Sequence, residues 1–178
     1  IPERASYKEP REVIWDLVDV VCKNGRLLLN FGPKPDGTLS DKDVEILKAM
    51  AAWMKVNDEA VHGTDLWRYA QEGPTEVQEG QFADAVSRNF TSEDIRFTCK
   101  GDTVYAIVLV CPEDGILHIR SMREADASHL PLFSGAVKDV TVLGCTTPVV
   151  WERDNNALTV NMGEYRSSLP VVVKIKVN

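Results

Sequence analysis

Asp36 sits in a loop rich in glycine and proline within "KNGRLLLNFGPKPDGTLS", residues 23–40, and Asp16 and Asp19 lie a short way upstream. Two carboxyls held close together can act as nucleophile and general acid/base on a bond placed between them. An aspartate ahead of a glycine, however, is a standard turn residue, so Asp36 reads as turn geometry first. Asp16 and Asp19 read as solvated charges on the polar face of a helix. His62, His118 and His129 are isolated, with no triad order around a serine or carboxylate, and read as structural. The four cysteines (Cys22, Cys99, Cys111, Cys145) are widely spaced and show neither CxxC nor CxxH pairing, which argues against zinc. They are expected to be four reduced, buried thiols, and no metal or cofactor is expected. Two site candidates remain, Asn30 and Phe31, which follow the apolar run directly.

These residues need elements to hold them. From Glu9 to Val21 the apolar residues Ile14, Leu17, Val18 and Val21 recur at helical spacing; Pro10 suits the first turn and Asn24-Gly25 the stop. Arg26 to Asn30 is a short apolar run without alternation, the signature of a strand covered on both faces. Ser40-Asp41-Lys42-Asp43 reads as a capping box opening a second helix to about Asn57, with Val44, Leu47, Ala51 and Met54 on one stripe. A buried strand that stops in a Gly/Pro loop and feeds a capped helix is how a (β/α)8 barrel strand ends, with the loop on the active-site face. The same unit also serves in any doubly wound sheet, and architecture alone does not separate the two.

The remainder changes period. Short strands are expected at Asp94–Cys99, Thr103–Val110, Ile116–Arg120, Val137–Leu143, Val149–Glu152, Ala157–Met162 and Val171–Val177, punctuated by Gly101-Asp102, Glu113-Asp114-Gly115 and Asp154-Asn155-Asn156. Closely spaced strands of this kind make an antiparallel sandwich. Gln71 to Ala85, acidic and poor in apolar residues, reads as a long exposed loop. The fold class is thus α/β plus all-β. Residues 1–62 are an α/β piece, expected as the terminal piece of a (β/α)8 barrel or as a unit of a doubly wound sheet, 63–91 are expected as a linker with the acidic loop, and 92–178 as an antiparallel β-sandwich.

The net charge of −7, with no basic stripe, argues against nucleic acid or an anionic membrane as partner. No apolar run approaches the roughly 20 residues of a transmembrane helix. Asn89-Phe90-Thr91 matches the N-x-T glycosylation pattern, a triplet that also arises by chance.

Lys23 to Pro33 followed by Asp36-Gly37 resembles a segment of the glycoside hydrolase family 29 α-L-fucosidases, where it forms the last barrel strand and its loop. The likeness continues through Trp53 to Val56 and Val61-His62-Gly63-Thr64 with Trp67. It resumes at Asp94 to Thr98, Lys100 to Ile107, Val142-Leu143-Gly144, Pro148-Val149, Trp151-Glu152 and Leu158-Thr159-Val160, similar to that family's C-terminal sandwich. The resemblance implies a retaining exoglycosidase that removes terminal α-L-fucose from a fucosylated glycan, with two carboxyls close together across the sugar. It also places the nucleophilic aspartate and the acid/base glutamate upstream of Ile1, so no catalytic residue is expected in this chain.

Phe31 is then expected either to offer an apolar face to the C5 methyl of fucose, with Asn30 beside it, or merely to pack under the loop. The expected partner is the rest of the barrel, or another copy of this chain, against exposed Leu27 to Leu29. The compartment stays open between a secreted, periplasmic or lysosomal parent. Two other roles compete: a carbohydrate-binding sandwich using Trp67, Tyr69, Tyr105, Trp151 and Tyr165 as a stacking platform, or a purely structural brace. For a brace, Trp67 and Val61-His62-Gly63 are expected to form the joint between the two parts.

Overall fold

The structure, a computed structural model, describes residues 7–76, 89–126 and 132–178. Helix α1 (Pro10–Val21) opens on a capping box in which Glu9 accepts from the third residue's amide and Glu12 reaches back to the Glu9 amide. It stops at Asn24, the non-glycine residue with φ of 60°. Helix α2 (Asp41–Asn57) is capped as expected by Ser40 and Asp43. A single 3₁₀ turn (Asp58–Ala60) follows.

The strands are β1 (Asp65–Glu72), β2 (Ile95–Lys100), β3 (Thr103–Val108), β4 (Ile116–Ile119), β5 (Val137–Val142), β6 (Val150–Arg153), β7 (Leu158–Asn161) and β8 (Val171–Val177). One antiparallel sheet runs β1-β2-β3-β8-β5 and a second β4-β7-β6. All seven strands read from the sequence are present within a few residues. The eighth, β1, begins inside the stretch expected as linker. It is an edge strand whose register slips between Leu66 and Gln71, so its side chains never show clean alternation.

Alternation along β3 and β8 builds a three-layer body. Val104, Ala106, Val108, Val171, Val173 and Ile175 face the second sheet and join Leu117, Ile119, Leu158 and Val160 in the inter-sheet core. Tyr105, Ile107 and Val172 face the other way, into a core shared with Ile14, Trp15, Val18 and Trp53 of the helices. The centre of the five-stranded sheet is therefore covered on both faces, which is why β3 is buried at every position.

The joint differs from expectation. Trp67 is half-buried, but its ring packs within the sandwich, against Phe97 (4.7 Å between centroids) and Phe133 (6.2 Å). The helices are fastened instead by two other indoles. Trp15 donates its Nε1–H to the Leu109 carbonyl (2.8 Å), and Trp53 donates to the Pro170 carbonyl (2.7 Å). Val61 does belong to this helix–sheet core, whereas His62 is exposed.

Asp94 holds the two feet of the acidic segment together. Its carboxylate, wholly buried, accepts from the Thr75 amide (3.0 Å) and hydroxyl (2.8 Å) and from the Thr91 amide (2.7 Å) and hydroxyl (3.1 Å). The rest of the expected loop, residues 77–85, lies outside the described residues. Asp94→Ala is expected to lower the stability of unfolding by about 2–4 kcal/mol, since it strips buried donors of a charged acceptor. Urea denaturation checks this, and an unchanged midpoint contradicts it.

Arg26 to Asn30 is not a strand here. The segment is irregular, with Leu28 93% and Leu29 40% exposed and Leu27 half-buried. A parallel strand is held by hydrogen bonds to its neighbours on both sides, and no described residue of this chain lies alongside to supply them. Exposed leucines of this kind drive association. Light scattering of residues 1–178 is expected to show mass rising with concentration, reduced by the double change Leu28→Ser and Leu29→Ser. A concentrated, monodisperse monomer contradicts it.

Candidate functional site

The loop after Phe31 stands on its own bonds. The Lys34 amide donates to the Thr38 carbonyl (2.7 Å) and the Gly37 amide to the Lys34 carbonyl (2.9 Å), with Gly37 at φ 83°. Asp36 Oδ1 accepts from the Thr38 hydroxyl (2.7 Å) and amide (3.0 Å), and these bonds hold its carboxyl below the usual carboxylate range. Asp36 is thus a fully engaged turn residue, as read from the sequence. Asn30 is exposed and Phe31 half-buried at the start of the loop; neither belongs to a packed core cluster. They follow one another at the end of the irregular leucine segment.

The other candidates are occupied structurally. Asp16 is salt-bridged to Lys8 (2.6 Å). Asp19, expected to be solvated, instead accepts from Arg96 Nε (2.6 Å) and Lys23 (2.9 Å), because the α1 face that carries it is turned onto β2. His62 pairs with Asp58, one helical turn back on an exposed surface. His118 Nδ1 lies 3.1 Å from Thr159 Oγ1 across the β4–β7 pair. His129 lies outside the described residues.

A groove of about 390 Å³ between α1, α2 and the approach to β8 holds two carboxylates, Glu9 and Glu45, with Arg11, Ser168 and Leu169. Both carboxylates bridge to Lys42 (3.8 and 3.2 Å) and are 57% exposed. Both are therefore engaged by a lysine on an open, solvated surface.

All four cysteines are free, but only Cys22 is buried; its thiol is pushed up to about 11, chiefly by desolvation. Cys99, Cys111 and Cys145 are half-buried. They sit at the sandwich periphery, where Cys99 Sγ donates to the Leu66 carbonyl (3.2 Å) and Cys145 Sγ to the Thr147 carbonyl (3.3 Å). The aromatic platform does not form. Tyr105 is buried, with its hydroxyl donating to Glu59 (2.9 Å), and Trp67, Trp151 and Tyr165 pack against the inter-sheet core. Tyr69 is 39% exposed and meets Trp67 edge-on at 69°, not in a common plane.

The described residues thus form a capped helix pair, carrying the Gly/Pro loop, docked on an antiparallel sandwich. Comparison with known proteins makes the class specific. The family profile for alpha-L-fucosidase matches residues 2–59, and that for the alpha-L-fucosidase C-terminal domain matches residues 88–175. Human tissue alpha-L-fucosidase is 32% identical over 146 residues, covering 82% of this chain and 26% of that protein. Human plasma alpha-L-fucosidase is 33% identical over 150 residues, 83% of this chain and 26% of that protein. The crystal structure of the Thermotoga maritima alpha-fucosidase with a mechanism-based inhibitor superposes with a TM-score of 0.68 at 25% identity, over 95% of this chain and 34% of that one. The chain belongs to the α-L-fucosidase family of glycoside hydrolases and corresponds to the family's C-terminal part. It spans about a quarter of the length of the curated relatives it matches.

Proposed function

We propose that this chain works as the C-terminal portion of a retaining α-L-fucosidase that hydrolyses terminal α-L-fucose from glycoconjugates, its catalytic carboxylates supplied by barrel segments upstream of Ile1. One observation carries the reading: Asp36, Asp16, Glu9 and Glu45 are each committed to a turn, a cap or a salt bridge, while the chain's family is one of glycosidases. In this scheme Leu27 to Leu29 complete the barrel wall. Asn30 and Phe31 then reach the rim, where the Phe31 ring packs on the C5 methyl of fucose. The partners are a fucosylated glycan and the remainder of the barrel. The test is hydrolysis of 4-nitrophenyl α-L-fucoside by residues 1–178 alone and by a chain that also carries the upstream barrel; turnover by the short chain overturns the assignment.

For the sandwich itself the structure favours a brace over a glycan-binding module. Tyr105, Ile107 and Val172 of its five-stranded sheet lie in the core shared with α1 and α2, and Trp67, Trp151 and Tyr165 pack against the inter-sheet core.

A further inference from the structure

The crossover from β7 to β8 meets both helices where they begin. α1 and α2 start at one end of the molecule: the Tyr7 hydroxyl lies 3.3 Å from Ser40 Oγ, and Lys42 reaches back to Glu9 (3.8 Å). The leucine segment leaves the C-terminal end of α1 and must return to this end before α2 can start, so Asn30 and Phe31 arrive here. Ser168 and Leu169 of the crossover line the groove with Glu9, Arg11 and Glu45, and Leu169 packs on the core that α1 and α2 share with the sheet. One step on, the Pro170 carbonyl accepts the Trp53 indole N–H (2.7 Å). The Trp15 bond to the Leu109 carbonyl falls at the same end of the same strand pair: Val108 pairs with Val171, and each acceptor is the next residue outward. The crossover is itself stiff. Arg166 donates to the carbonyls of Glu113, Gly163 and Tyr165 (2.8 Å each), and the Leu169 amide donates to Ser167 Oγ (3.0 Å).

We propose that residues 167–170 are a positioning element for the fucoside site: through Leu169 and the Trp53–Pro170 bond they set the spacing of α1 and α2, and with it the place of Phe31. The inference rests on the fucosidase reading above. No atom of the crossover is required to touch the sugar. Close-packed side chains pass a displacement on rather than absorb it. Phe31 is joined to α2 by a loop that keeps its own shape, through the bonds of Lys34 and Asp36 to Thr38. A shift of α2 away from α1 therefore carries the Phe31 ring off the fucose methyl. That contact is present in the bound substrate and in the transition state alike, so its loss raises KM and leaves kcat nearly unchanged.

The test uses the chain extended through the upstream barrel. It compares Trp53→Phe, which removes the donor but keeps an aromatic ring, and Leu169→Ala with a control, Leu158→Ala. Leu158 is wholly buried in the inter-sheet core, so its truncation costs stability without touching the crossover. Trp53→Phe and Leu169→Ala are each expected to raise KM for 4-nitrophenyl α-L-fucoside about tenfold, within the roughly 100-fold that a misplacement of about 1 Å can cost. Both should also speed hydrogen exchange of the amides at 27–31. Leu158→Ala, although it lowers the Tm, should leave both readouts at the parent value. A KM unchanged in Trp53→Phe and Leu169→Ala overturns the proposal. So does a rise of the same size in Leu158→Ala, which would mark a general loosening. If the extended parent chain shows no turnover, the fucosidase reading fails by itself. Exchange at 27–31, measured without substrate, then decides the positioning role, and equal rates in all four chains refute it.

Discussion

Residues 1–178 alone are expected to leave 4-nitrophenyl α-L-fucoside at its background rate, and a chain extended through the upstream barrel to hydrolyse it. The expectation rests on what retaining hydrolysis requires. One carboxylate must attack the anomeric carbon and a second carboxyl must protonate the leaving oxygen, the two about 5 Å apart. An enzyme's advantage over water, about 10⁶-fold or more, cannot survive the loss of both. Asp36 lies in the loop itself, but its Oδ1 is engaged by the Thr38 amide and hydroxyl as a turn acceptor. Glu9 and Glu45 share a groove but are neutralised by Lys42 and well hydrated. Measured turnover by the short chain would make Asp36→Asn the first substitution to try.

What the sequence reveals tracks where each residue's environment is local. The helix stripe, the Ser40 cap and the Asp36 turn are set by neighbours three or four positions away, and all three are found where the pattern put them. The Leu27–Leu29 run records a different environment, a barrel wall. Its apolarity is legible, but strand pairing is not a property of the run itself, and without partners it stays irregular. β1 is hidden for the opposite reason: with only one neighbour, a slipped register and Asp65, Arg68 and Glu72 along it, it carries no periodic signal. The expected joint is right only at Val61, which joins the helix–sheet core, while the Trp67 ring packs within the sandwich. Trp15 and Trp53, inside helices, gave no sign that their N–H groups would meet carbonyls 94 and 117 residues away. For the site the legible part is smaller still. Asn30 and Phe31 are visible as a tip, while what faces them is not encoded in these residues.

The Arg96–Asp19 pair shows the same gap between local pattern and tertiary context, and it supports the largest mutational effect expected on stability. Asp19 looks solvated on a helix wheel; the only hint otherwise is a lone arginine inside the apolar strand Ile95–Lys100. In the fold Arg96 is 1% exposed. Its Nε donates to Asp19 (2.6 Å) and its Nη1 to the Ile95 carbonyl (3.3 Å), while Nη2 is buried without a partner. One carboxylate therefore compensates a cation that cannot reach water. Asp19→Ala should cost about 3–5 kcal/mol, the range for stranding a buried charge. Arg96→Met should cost less, because Asp19 is 14% exposed and keeps Lys23. The double variant should recover much of the Asp19→Ala loss, since an apolar side chain fits where Phe90 and the sheet already surround the guanidinium. The pH dependence has a definite sign. Burial works against the charged Asp19, but the bond from Lys23 and the charge and bond of Arg96 outweigh it, so the folded carboxyl titrates below its unfolded value. Its stabilisation is present above the ordinary aspartate pKa of about 4 and fades as pH falls toward the folded value. The gap in urea midpoint between the parent chain and Asp19→Ala should therefore be full at pH 7 and narrow below about pH 4. A gap that stays constant down to pH 2 would show that Asp19 contributes through packing and not through its charge.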